Sequence, residues 1–191
     1  KKAWKFNMDG NYKLADLTND QVRKIVTTYK TKLEGIKGGP IHGFRAGGWC
    51  LQPFDRFSHL FKEVAIRIDS TVFQGGYLET KHYYLDFRSA PNKGRYHFEN
   101  DLCAEEESGS FLELPIGGYK YSAAFFWRLY ILGRLFPSSH KMIGDGNFIS
   151  QGGKKYDSLK KGMWDHVSCD GYYASKLNQI TREFDSKKRS D

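Results

Sequence analysis

The amino-acid sequence predicts an α/β fold built on a mainly parallel sheet. Short apolar runs of strand type alternate along the 191 residues with longer runs whose apolar residues repeat every three or four positions. Strands that alternate with amphipathic helices are typical of parallel sheets, because each crossover helix covers one face of the sheet. The length is that of one domain with a sizeable core, and we assign residues 1–191 to a single domain.

The first helix is predicted to begin at Thr18, which together with Gln21 has the spacing of a capping box. Five apolar residues then form one helical stripe: Val22, Ile25, Val26, Tyr29 and Leu33. Glycines between positions 35 and 39, followed by Pro40, end the helix. A short strand over residues 41–44 is expected next.

The rest of the chain continues the alternation. A second helix starts after Pro53 and turns four apolar side chains inward: Phe54, Phe57, Leu60 and Phe61. Further strands are predicted over residues 64–72, 83–87, 111–116 and 163–167, a helix over 122–135, and a last helix after Asp170 with the stripe Tyr173, Leu177, Ile180 and Phe184. Residues 74–82 and 92–110 are predicted to be surface loops.

The helix over 122–135 belongs to the longest apolar run of the chain, from Tyr121 to Leu135. It is too short to span a bilayer and it contains Arg128 and Arg134. A position on a membrane surface is one interpretation. We favour a helix that is buried inside the protein.

Polar residues follow the ends of the predicted strands. Arg45 follows the strand over 41–44, Asp69 ends the strand over 64–72, and Asp86 with Arg88 ends the strand over 83–87. His166 lies in the last strand. Ligands of α/β folds bind at the carboxyl ends of the strands, so we expect Arg45 and His166 to face a common site at this edge.

The segment Phe44-Arg45-Ala46-Gly47-Gly48-Trp49 carries the most information about function. Its glycines allow the backbone to approach a ligand closely, and the arginine offers a permanently charged fork for a carboxylate or another anion. Trp49 is predicted to form a wall of the pocket. A glycine-rich turn with a structural salt bridge is an equally good interpretation.

Charge and cysteine usage narrow the function classes. The net charge is +8, and part of it lies in a basic tail at 185–191. The remaining charge is dispersed and no nucleic-acid-binding motif is present, so we do not expect a nucleic-acid binder. Cys50, Cys103 and Cys169 form no CxxC pair, which favours buried, reduced thiols and a cytoplasmic protein over a disulfide framework. A catalytic Cys169, three residues after His166, is the weaker alternative.

Four strings, taken together in this order and spacing, resemble the polysaccharide deacetylase family with the nodulation-type carbohydrate esterase domain. They are the arginine segment 44–49, Asp69-Ser70-Thr71-Val72, Tyr84-Leu85-Asp86-Phe87-Arg88 with Ala90-Pro91, and Phe111-Leu112-Glu113-Leu114-Pro115-Ile116. His166 falls where the family has its last motif histidine. The resemblance covers residues 14–180 and is strongest to a subgroup linked to bacterial surface-polysaccharide biosynthesis.

The resemblance implies a distorted (β/α) barrel and a metal-dependent hydrolase that removes N- or O-acetyl groups from a polysaccharide or a sugar precursor. In the family a divalent ion, commonly zinc, activates water at the acetyl group. By this resemblance Arg45 orients a catalytic aspartate, His166 is the general acid, and Asp69 or Asp86 holds the histidine. The substrate-binding candidates are Trp49, Asp86, Arg88 and Trp164.

The sequence departs from the family at its earliest motifs. An aspartate pair and a histidine pair that bind the metal in the family are absent before Thr18. His42, His59, His82, His97 and His140 lack the spacing of metal ligands. We therefore expect the C-terminal portion of such a protein, with metal ligands that this chain does not identify and a missing N-terminal segment. The sheet edge that this leaves is expected to be covered by a second copy or by rearrangement. The alternative function is a carbohydrate-binding module of the same fold without catalytic activity.

Overall fold

The computed structural model describes residues 13–138, 157–166, 177–178, 181–183 and 185–186. The helices are α1 (Asn19–Lys37), α2 (Asp55–Glu63), α3 (Ala123–Leu135) and α4 (Asp157–Lys161), with short 3-10 turns at Leu14–Asp16 and Gly47–Trp49. The strands are β1 (Gly43–Phe44), β2 (Ile68–Asp69), β3 (Tyr77–Glu79), β4 (Tyr84–Asp86), β5 (Tyr96–Phe98), β6 (Phe111–Glu113), β7 (Gly118–Tyr121) and β8 (Met163–His166). The predicted last helix lies almost entirely outside the described residues. His140 and Cys169 also lie outside them.

Helix α1 begins and ends where the sequence predicts. The Thr18 side chain accepts a hydrogen bond from the Gln21 N–H at 3.3 Å, and the Gln21 side chain accepts one from the Thr18 N–H at 2.8 Å. The helix ends at Gly38, which has a φ of 75° that an L side chain tolerates poorly. Val22 and Val26 are buried, so the helix is anchored through this part of its apolar stripe.

We expect the substitution Thr18→Ala to lower the free energy of unfolding by about 1 kcal/mol, because it removes the hydroxyl that satisfies a helix N–H. Urea denaturation measures the change. Thr27→Ala is the matched control, since Thr27 is exposed in the middle of α1, where alanine favours the helix. An equal loss in both variants would show that the cap contributes nothing specific.

The main sheet has the strand order β1-β2-β6-β5. Strands β1, β2 and β6 are parallel, and β5 pairs antiparallel with β6. Phe44 lies opposite Asp69, and Asp69 lies opposite Glu113, so the three parallel strands end at the same level. The mixed α/β class is confirmed, but only β1, β2 and β6 are parallel, and the other three strand pairings among the described residues are antiparallel. None of the described sheets closes into a barrel.

Two predicted loops contain strands. Strand β3 lies within residues 74–82 and pairs antiparallel with β4, and β5 lies within residues 92–110. The loop predictions were wrong there because both strands are only three residues long and each contains a charged or polar residue, Glu79 in β3 and His97 in β5. Their backbone pairing, rather than an apolar run, defines them. A third, two-stranded sheet joins β7 and β8.

Aromatic rings fill the core beneath the main sheet. Phe54 lies just before α2, and its ring contacts those of Phe61, Phe98 and Phe111 at centroid distances of 5.6, 5.0 and 4.9 Å. Phe57 and Leu60 are buried with them, which confirms the predicted inward face of α2. These contacts fix β5, β6 and α2 against one another and make a rigid support for the strand ends.

The prediction that the helix over 122–135 is buried was wrong. Phe126 is the buried residue of α3, and it joins Tyr121 in a small separate cluster. Four large apolar side chains of this helix remain on the surface: Trp127, Tyr130, Ile131 and Leu135. The sequence did not reveal this, because the apolar residues of this helix are distributed around its whole circumference and do not indicate which face is covered. Across the described ranges, no helix combines the length and apolar character needed to cross a bilayer.

Candidate functional site

The carboxyl ends of β1, β2 and β6 hold the Arg45 side chain. Its Nε donates to the Ser70 carbonyl and its Nη2 donates to the Ser70 hydroxyl, both at 2.9 Å. The Ser70 hydroxyl donates in turn to the Leu114 carbonyl at 2.8 Å. Among the described residues Arg45 forms no ion pair, so its partners here are neutral groups, and its side chain is exposed. The guanidinium is therefore oriented by the fold and keeps its charge available to an anion.

A buried hydrogen-bond chain lies directly behind Arg45. The Ala46 N–H donates to the Thr71 hydroxyl at 3.0 Å, and this hydroxyl donates to Asp69 Oδ1 at 2.8 Å. The Thr71 N–H donates to Asp69 Oδ2 at 3.0 Å. Both oxygens of Asp69 are thus used to fix the turn after β2, and this turn fixes the backbone that carries Arg45.

Glu113 completes this network from the end of β6. Its Oε1 accepts the Val72 N–H at 3.0 Å, and the buried Glu113 lies directly opposite Asp69 in the pairing of β2 with β6. Burial and the negative charge of Asp69 raise the pKa of Glu113 to about 10. Burial raises the pKa of Asp69 as well. Since Asp69 receives both Thr71 donors, we assign the negative charge to Asp69 and the proton to Glu113.

His166 lies between two aromatic rings. Its ring centroid is 5.3 Å from that of Trp49 and 5.2 Å from that of Phe73, and the residue is only 8% exposed. Trp49 belongs to the turn that follows Arg45, and Phe73 follows the Asp69 turn. The structure therefore brings the predicted residues Trp49 and His166 together, next to the elements that carry Arg45 and Asp69.

Trp164 fixes the strand that carries His166. Strand β8 pairs with β7, with His166 opposite Gly118. The Trp164 ring lies against Gly75, where a Cβ would come within 2.2 Å of the ring. Gly75 has a φ of 73° and its N–H donates to the Phe87 carbonyl at 3.2 Å. Trp164 therefore packs β8 against the backbone of the segment between β2 and β3.

Asp86 and Arg88 form a unit of their own at the end of β4. The Arg88 Nε and Nη2 donate to the two oxygens of Asp86 at 2.8 and 2.6 Å, and this guanidinium holds the pKa of Asp86 below its usual range. The guanidinium also lies 4.2 Å from the Tyr77 ring centroid. Their predicted roles in substrate binding stay predictions.

A groove of about 460 Å³ lies between α1 and β1. Arg45 and Gly47 lie at one end of it, and the remaining lining is mostly apolar, with Ile25 and Leu33 of α1 and Phe44 of β1. His166 does not line this groove. The expectation that Arg45 and His166 face one common site therefore stays a prediction.

The described residues do not fit the metal centre that the resemblance implies. No group of three or more histidine, cysteine, aspartate or glutamate side chains is placed to hold an ion within the described ranges. Both oxygens of Asp69 accept hydrogen bonds from Thr71, and Glu113 Oε1 accepts one from the Val72 N–H. We derive no step through a metal from these residues.

The two described cysteines are free, buried thiols, as predicted. Burial raises the pKa of Cys50, and it raises that of Cys103 to about 12. Neither side chain has the lowered pKa of a nucleophilic thiol. Among the described residues the cysteines are therefore part of the packing.

The sequence analysis missed four residues of this region: Ser70, Thr71, Phe73 and Glu113. Ser70, Thr71 and Glu113 belong to strings that carried the resemblance, and Phe73 directly follows one of them, yet none was assigned a role. Glu113 had a visible signal, because a carboxylate stands in an otherwise apolar strand at the same distance from the strand end as Asp69. Phe73 had no such signal, since a phenylalanine next to apolar residues is expected to belong to the hydrophobic core.

Comparison with known proteins found no matching protein-family model, no matching curated protein and no matching solved structure.

Proposed function

We propose that this chain belongs to a hydrolase of the polysaccharide deacetylase type, acting on an acetylated polysaccharide or sugar precursor. The proposal is supported by the ordered strings of the sequence. It is supported further by one observation: the segments that carry Arg45, Asp69 and Trp49 meet at the carboxyl edge of the parallel strands, with His166 against Trp49.

In the proposed reaction water adds to the acetyl carbonyl carbon, the bond from that carbon to the sugar nitrogen or oxygen breaks, and acetate leaves. We assign His166 as the donor of a proton to the departing sugar group. Arg45 orients an anionic group beside the acetyl carbon. The resemblance implies a zinc ion that activates the water, and the residues described here do not identify its ligands.

Asp69 is proposed as a positioning residue. Both of its oxygens are bonded to Thr71, so it acts through the turn that holds Ala46 and Arg45. This differs from the role that the resemblance implies, in which an aspartate bonds directly to the histidine. Trp49 is proposed to stack on the sugar and to cover His166, so that a substrate reaches the imidazole when the indole turns aside.

The burial of His166 favours a second candidate function. An imidazole that is 8% exposed between two aromatic rings can stabilise a pocket wall without transferring a proton. The second candidate is a carbohydrate-binding module that uses the same edge and the Trp49 ring. Both candidates predict binding of acetylated sugars, and only the first predicts release of acetate.

We expect Trp49→Ala to weaken the binding of acetylated oligosaccharides about tenfold, since stacking on an aromatic ring contributes on the order of 1.4 kcal/mol. Calorimetric titration with N-acetylglucosamine oligomers and O-acetylated oligosaccharides measures the affinity, and enzymatic detection of acetate after addition of Zn²⁺ measures turnover. Trp127→Ala is the matched control, because Trp127 lies on α3 and outside the site.

Acetate release that is lost in His166→Gln would support the hydrolase. Sugar binding that depends on Trp49, without acetate release, would support the module. If none of these sugars binds and no acetate appears, or if both tryptophan variants bind equally well, the proposed site is wrong.

A further inference from the structure

The outer face of α3 carries a continuous apolar stripe. Trp127, Tyr130, Ile131 and Leu135 are 47, 43, 49 and 65% exposed. Their spacing of three, four and eight positions from Trp127 places them on one side of the helix. Exposed apolar patches of this kind often mark surfaces that bind another molecule.

The opposite face of α3 is already packed. Phe126 is buried against Tyr121, and the Phe125 ring lies 4.5 Å from the Tyr121 ring. The Trp127 indole N–H donates to the Leu159 carbonyl of α4 at 3.0 Å. Helix α3 is thus held in place from within, and its outer stripe stays on the surface of the part of the chain that the structure describes.

Positive charge surrounds this stripe. Arg128 and Arg134 are exposed on α3, and the Arg134 guanidinium lies 5.1 Å from the Tyr130 ring centroid. The helix itself has no acidic residue, and none occurs anywhere in residues 114–144. Lys160 and Lys161 are exposed at the end of α4, which packs on α3. The stripe therefore offers apolar, aromatic and cationic groups together.

We propose that this stripe binds the surface of an anionic phospholipid membrane, with α3 lying in the plane of the interface. Aromatic rings such as Trp127 and Tyr130 prefer the headgroup level, Ile131 and Leu135 reach the acyl boundary, and the arginines meet the lipid phosphates. At 13 residues α3 is too short to cross the bilayer. The proposal is independent of the proposed function.

The charge pattern favours a membrane over a second copy of the chain. Two copies packed through this stripe would bring Arg128 and Arg134 of one copy towards the same residues of the other, with no acidic side chain on α3 to pair with them. An anionic lipid surface supplies the missing negative charge.

Co-sedimentation with vesicles tests the proposal. We expect the protein to bind vesicles of phosphatidylcholine mixed with phosphatidylglycerol, and to bind pure phosphatidylcholine far more weakly. Ile131→Glu should weaken this binding about tenfold or more, because it places a negative charge in the stripe. Ile36→Glu is the matched control: Ile36 is 84% exposed on α1, so the same change should leave binding within about twofold.

Two arginine-to-glutamine variants test the contribution of the positive charge separately. Arg128→Gln should weaken vesicle binding about fivefold, the equivalent of 1 kcal/mol, while Arg95→Gln, an exposed arginine outside the lobe formed by β7, α3 and α4, should have a smaller effect. Equal effects of Ile131→Glu and Ile36→Glu, or no binding to anionic vesicles, would overturn the proposal. A dimer that dissociates in Ile131→Glu would identify a second copy instead. A large loss of stability in that variant alone would show that other parts of the chain cover the stripe.

Discussion

Asp69→Ala is expected to lower the free energy of unfolding by about 3 to 5 kcal/mol, the largest effect of any single substitution considered. The change leaves the buried Thr71 N–H and hydroxyl without their acceptor, and it removes the partner of Glu113. Each buried donor that loses its partner costs about 1 to 3 kcal/mol, and a charged acceptor adds to the loss. Urea denaturation followed by tryptophan fluorescence measures the change.

Asp16→Ala provides the matched control, because Asp16 is exposed and should change the stability by no more than about 0.5 kcal/mol. Asp69→Asn keeps one acceptor oxygen and should fall between the two. A loss below about 1 kcal/mol for Asp69→Ala would mean that the Asp69, Thr71 and Ala46 network does not support this edge of the sheet.

Glu113→Gln is expected to remove a pH dependence of stability that the natural protein shows. The pKa of Glu113 is raised to about 10 by burial and by the charge of Asp69, whereas an unfolded glutamate titrates near about 4.3. Between these values the folded chain binds one proton more than the unfolded chain. Stability is therefore fully present below about pH 4 and falls as the pH rises, by at most about 1.4 kcal/mol per pH unit.

The test compares the unfolding free energies of the natural protein and the variant between about pH 6 and pH 9. Already at about pH 6 the variant should be the more stable protein by up to about 2 kcal/mol, because the unfolded glutamate is ionised above about pH 4 whereas the amide does not titrate. The difference should grow as the pH rises. Glu99→Gln is the control: Lys62 holds the pKa of Glu99 at about 2, so its contribution is constant in this range. Parallel pH profiles for the natural protein and Glu113→Gln would show that Glu113 does not hold the proton.

The local features of the fold could be predicted from sequence. The capping box at Thr18 and the glycine at 38 determine where α1 begins and ends, since both act within a few residues. The inward face of α2 follows from the spacing of its phenylalanines. The position of Asp69 at the end of a strand was also visible, because the apolar run stops there.

The rest depends on distant parts of the chain. Strands β3 and β5 are defined by partners on other strands, which no local pattern reveals. The covered face of α3 depends on the Tyr121 cluster, and the pairing of Asp69 with Glu113 joins residues 44 positions apart. At the candidate site, the sequence identified Trp49 and His166 separately, while their contact through a turn and a late strand required the structure.

The contact between Trp164 and Gly75 affects the position of the His166 imidazole, which lies two residues further along β8. The indole lies directly on the backbone at position 75, so the absence of a side chain there allows β8, and His166 with it, to lie close to the segment between β2 and β3. Any methyl group at position 75 acts as a spacer of more than an ångström beneath the indole. The position of residue 166 thus depends on the small size of the residue at position 75.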